Sequence, residues 1–117
     1  MALLKNLSLA FIFLFCVAFT PLHHGWANYN QNKTLDYKGT IEEIVYENPH
    51  ATAKVKHLKK IWTVILAPVS RMEARGVTAG MLEKGNVIRV VGYPHKKIKN
   101  EMRAERIFVN ETKYELR

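Results

Sequence analysis

Five histidines, His23, His24, His50, His57 and His95, are the residues of this chain best suited to chemistry. Neutral imidazole is a common protein ligand for copper and zinc, and two or three rings suffice for a site. His23 and His24 are adjacent, and His50 follows Asn48-Pro49, a pair that fixes a strand end. These three are therefore the candidate metal ligands, for copper or zinc. A free terminal amine beside an N-terminal histidine would chelate the ion together with its ring. Against this stands a plainer reading, in which the adjacent histidines have no fixed partner and His50 only hydrogen-bonds at a strand end. His57 and His95 lie beside lysines in basic turns and read as solvated surface.

Lysine is the second recurrent chemistry. Lys54, Lys56, Lys59 and Lys60 fall on one hairpin, and Lys96 and Lys97, followed by Lys99, on a later loop. Such clusters raise the local concentration of anions, so all of these but Lys99 are candidate anion-binding residues for lipid head groups, acidic glycan or nucleic acid. The alternative is a charged surface that keeps a small protein soluble. Nucleic acid is not expected as a partner, because Tyr46, Trp62, Tyr93 and Phe108 sit mostly where the pattern requires core. Catalysis has little support. Glu42 and Glu43 point to opposite faces of one strand and make no acid–base pair. Ser70 reads as a helix cap, and neither a Gly-rich phosphate loop nor a His-Glu zinc motif is present.

These side chains have to be held by short strands. Residues 39–46 are β-rich, but Ile41 and Ile44 fall on opposite parities, which predicts a β-bulge near Glu42–Glu43. Ala51, Ala53 and Val55 alternate with Thr52, Lys54 and Lys56, a half-buried strand with a basic outer face. Lys59-Lys60 turns into residues 61–67, nearly all apolar, which should form the most buried strand. Pro68 stops it. Ser70-Arg71-Met72-Glu73 has the form of a capping box, and Gly76 suits the left-handed position after a helix. Residues 87–92 and 102–109 supply strands four and five. The order, three strands, a short helix, two strands, is that of a small antiparallel five-stranded barrel of the OB type. Ile41, Val55, Trp62, Val64, Val90 and Ile107 should share its core.

The chain has 117 residues, 18 basic and 10 acidic, for a net charge of +8. Its first 22 contain no acid, one lysine (Lys5) and an apolar run from Leu7 to Phe19, which reads as a signal peptide. Cleavage fits after Ala18, which keeps His23 and His24, or after Ala27, which removes them. The remaining stretch, about 95 residues, allows one domain and excludes a two-domain enzyme. Residues 23–37 read as an extended lead-in and 38–117 as the barrel. The single cysteine, Cys16, lies in the apolar run, so disulfides and thiol chemistry are excluded from the mature chain.

His23-His24-Gly25, Gly39-Thr40-Ile41, Asn48-Pro49-His50, Arg75-Gly76, Gly85-Asn86-Val87 and Gly92-Tyr93-Pro94 together resemble the small exported bacterial proteins of domain of unknown function 6152. The resemblance covers His23 to about Val109. It implies an exported protein with this fold and carries no activity with it. The sequence thus points to a periplasmic or secreted, non-enzymatic binding module, monomeric, touching a membrane only through an uncleaved signal. The alternative is a copper- or zinc-binding protein, and the third reading is anion binding through the lysines.

Overall fold

The computed structural model describes residues 24–117. The expected signal peptide, with Cys16, and His23 lie outside the described residues. One helical turn, α1 (His24–Ala27), precedes β1 (Leu35–Val45), β2 (Thr52–His57) and β3 (Lys60–Ile65). Helix α2 (Val69–Ala74) and a 3-10 turn (Ala79–Leu82) lead into β4 (Val87–Pro94), β5 (Glu101–Val109) and β6 (Thr112–Glu115).

Strand β1 pairs with both β2 and β4, and β2 pairs with β3 and β4 with β5, all antiparallel. The ring closes through β3 and β5, which run parallel and pair Thr63 with Glu101, Val64 with Met102 and Ile65 with Arg103. A ring of five strands cannot alternate direction all the way round, so one junction must be parallel. The barrel is mixed rather than wholly antiparallel for that reason. Its strand order is otherwise that of the OB type, with the helix between strands three and four. The expected bulge is present, as the β1–β2 register shifts between Ile41 and Glu43. It lets one strand serve two sides of the barrel.

Ile41, Val55, Val64, Val90 and Ile107 are fully buried in one cluster with Leu66, Met72, Leu82, Ile88 and Met102. Trp62 shares their face but is only half-buried, because it sits near the start of β3 where the barrel end opens. Tyr46, Tyr93 and Phe108 are likewise half-buried at the margins rather than in the core. Their size and polar atoms suit that place; the Tyr46 hydroxyl donates to the Val77 carbonyl at 2.6 Å. Gly92 stands at a second register shift, opposite Ala104, where a Cβ would overlap the Arg103 carbonyl.

Local details differ from the sequence reading in three places. Ser70 does not cap α2: Pro68 holds the N-cap position, and its carbonyl accepts from the amides of Arg71 and Met72 at 2.9 and 3.0 Å. Gly76 does end the helix, at φ +83°. Strand β1 starts at Leu35 and so takes in the last three residues of the expected lead-in, and Tyr29 ahead of it is buried and bridged to His95. Strand β6 is the third difference; it lies on the far half of β5, beyond the part that pairs with β3.

Candidate functional site

A concavity of about 930 Å³ opens between the start of β1 and the β2–β3 turn. Leu35 and Tyr37 come from β1, and His57, Leu58 and Trp62 from the hairpin. The Tyr37 ring lies 4.7 Å from that of His57 and 6.0 Å from that of Trp62, tilted by 35° and 30°, so three rings line one floor. Tyr37 and His57 are fixed from behind. The Tyr37 hydroxyl donates to Met102 Sδ at 3.0 Å, and burial pushes its pKa well up, keeping it neutral. His57 Nδ1 lies 2.7 Å from the Lys38 carbonyl, which can only accept; Nδ1 therefore carries the proton. Asp36 on the rim is held by a two-pronged bond from Arg89, at 2.8 and 2.7 Å, which keeps its carboxyl ionised below the usual range.

Lys59 and Lys60 form the basic wall of this groove. Because β3 and β5 are parallel, the β2–β3 turn and the β4–β5 loop leave the same barrel end, and Lys96 and Lys97 are carried there too. Lys56 is exposed on the outer face of β2. Lys54 differs from the others, since it faces Glu43 at 3.5 Å and its charge is partly spent. Among the described residues, no carboxylate lies within ion-pair distance of Lys56, Lys59, Lys60, Lys96 or Lys97. His57 and His95 are not free surface rings. His95 packs edge-on against Tyr29 at 5.0 Å, and its Nδ1 accepts from the Lys97 and Ile98 amides at 3.0 and 2.9 Å. It shapes the very loop that holds the later lysines.

A second cluster surrounds His50 and was not visible in the sequence. Arg103 is only 8% exposed, its Nε has no partner among the described residues, and its guanidinium stacks on Trp26 at 4.4 Å. Arg117 stacks on the same ring at 4.2 Å. Gly25 backs directly onto Arg103, and a Cβ there would overlap Nη1. On the other side Arg103 Nη2 donates to His50 Nε2 at 3.3 Å. Burial, then Arg103 and Arg71, hold the His50 pKa below its ordinary value. So α1, where His24 begins, does lie near His50, with a guanidinium between them. A fixed positive charge at the ring nitrogen works against a second cation there. Among the described residues, no three histidine or acidic side chains gather as a metal site.

No curated protein matches this sequence. A family model does, over residues 13–103, which takes in most of the barrel and both histidine motifs. Since that match spans well over half of its residues, the chain belongs to the family of unknown function DUF6152.

Proposed function

We propose that this chain is an exported, non-catalytic binding module that takes an amphipathic anion in the groove at the barrel end. One observation carries the reading: a cavity of about 930 Å³ floored by Tyr37, His57 and Trp62 and walled by Lys59 and Lys60. A space of this size, apolar with a few convergent polar groups, suits a small ligand. Flat rings favour a planar or apolar body, while the lysines favour a negative group at its end. The two groups at the cavity that could move a proton are already engaged, His57 with a backbone carbonyl and Asp36 with Arg89, which suits holding better than turnover. Export rests on the apolar run behind Lys5.

Anilinonaphthalene sulfonate, an aromatic anion, is a direct probe. Its fluorescence should rise saturably on the wild type. The Trp62→Ala variant and the Lys59→Gln/Lys60→Gln pair should each bind about tenfold more weakly or worse, with far-ultraviolet circular dichroism unchanged. Lys84→Gln, away from the groove, should bind normally. Equal binding by all variants ends the groove reading.

A further inference from the structure

The β2–β3 turn is two residues long, Leu58 and Lys59, between the paired residues His57 and Lys60. Turns of this kind need a left-handed residue and favour Asn, Asp or Gly there. This chain places a leucine in that position, at φ +57°, and leaves its side chain 81% exposed. Leucine gains nothing locally from such a conformation, and no described residue covers it. A broken local preference of this sort marks a position used for something other than folding.

The β4–β5 loop repeats the pattern. Ile98 is 52% exposed and is flanked by Lys96, Lys97 and Lys99, as Leu58 is followed by Lys59 and Lys60. Both loops leave the same end of the barrel, on the adjoining strands β3 and β5. Ile61, also exposed, extends the apolar strip along β3. The carboxylates that border these two loops are committed elsewhere: Asp36 to Arg89, and Glu101 to the Tyr29 hydroxyl at 2.8 Å. The end thus presents two aliphatic tips flanked by lysines that have no ion-pair partner among the described residues.

We infer that this end of the barrel docks on an anionic phospholipid bilayer, with Leu58 and Ile98 inserted below the head groups and the flanking lysines held at the phosphates. Aliphatic tips gain free energy by entering hydrocarbon, while lysines gain it from the negative surface potential; the two together make reversible surface binding. Nucleic acid would reward rings at the tips rather than a leucine and an isoleucine. The inference goes beyond the groove: Leu58, Lys59 and Lys60 also line that cavity, but Ile98 and Lys96 do not, so Ile98→Asp separates membrane docking from loss of the groove.

The test uses the chain from His23 onward, which carries every buried residue of the core described above, so that the apolar N-terminal run does not bind vesicles by itself. It should sediment with phosphatidylglycerol vesicles and not with phosphatidylcholine vesicles, and added salt should release it. Leu58→Gly is the decisive variant: glycine suits the left-handed turn, so melting temperature should hold or rise while vesicle affinity falls about tenfold. Ile98→Asp should lose at least as much, and Lys59→Gln/Lys60→Gln should flatten the salt dependence. Wild-type affinity in the folded Leu58→Gly variant overturns the inference, as does equal binding to both vesicle types or to neither. Binding to soluble heparin that ignores Leu58→Gly, with no vesicle binding, would instead reveal a general anion surface.

Discussion

His50 accepts a hydrogen bond from a guanidinium, and this fixes how its proton acts on stability. Burial and the charges of Arg103 and Arg71 hold its pKa below the ordinary 6.5. The unfolded chain, free of these, takes up a proton near that value while the folded ring resists it. Stability therefore falls as pH drops through the range below about 6.5 and is level above it. Melting curves from about pH 7 to about pH 5 should show a steeper loss in the wild type than in His50→Gln, and parallel curves would refute the assignment. The pairing of Arg103 with His50 cannot be read from the sequence. Strand alternation puts an arginine at that place on the outer face of β5, where a charge is ordinary. What buries it is Trp26 and Gly25 of α1, brought there by the chain's path and by no local signal.

Among elements, the strands that alternate cleanly were readable, and so was the bulge, because little else shifts the apolar parity between Ile41 and Ile44 within one strand. Strand β6 was not readable. Its turn is made by Asn110 and Glu111, both left-handed at φ +49° and +68°, and glutamate there gives no turn signal. Trp62 misled in a different way: an apolar run shows that a strand is buried, not which of its ends is open. Strand β6 nevertheless helps hold the core. Leu116 just past it is fully buried and its amide donates to the Glu105 carbonyl at 2.8 Å. Leu116→Ala should cost about 2–4 kcal/mol in urea unfolding. Val87→Ala, at an exposed valine, should cost about 0.5 kcal/mol or less. Similar losses for both would mean that the tail is an ornament.

At the scale of the whole molecule, the barrel order followed from the strand pattern, whereas the groove did not. Tyr37 and Trp62 come from strands that do not pair with each other, and they meet across β2, which pairs with both. The closure of the ring is the narrowest part of the wall. Three residue pairs join β3 to β5, while β1 and β4 are joined from Leu35–Gly92 to Thr40–Val87. In hydrogen exchange, the Thr63 amide, bonded to the Asn100 carbonyl at 2.8 Å, should therefore lose its protection before the amides of the β1–β4 ladder. Uniform protection would show the barrel opening as one unit. The strands on either side of this seam carry Leu58 and Ile98. When the seam breathes, the two apolar tips part while the floor, carried on the continuous β1–β2–β3 ladder, stays together, so the spacing of the tips is set by the weakest ladder of the barrel.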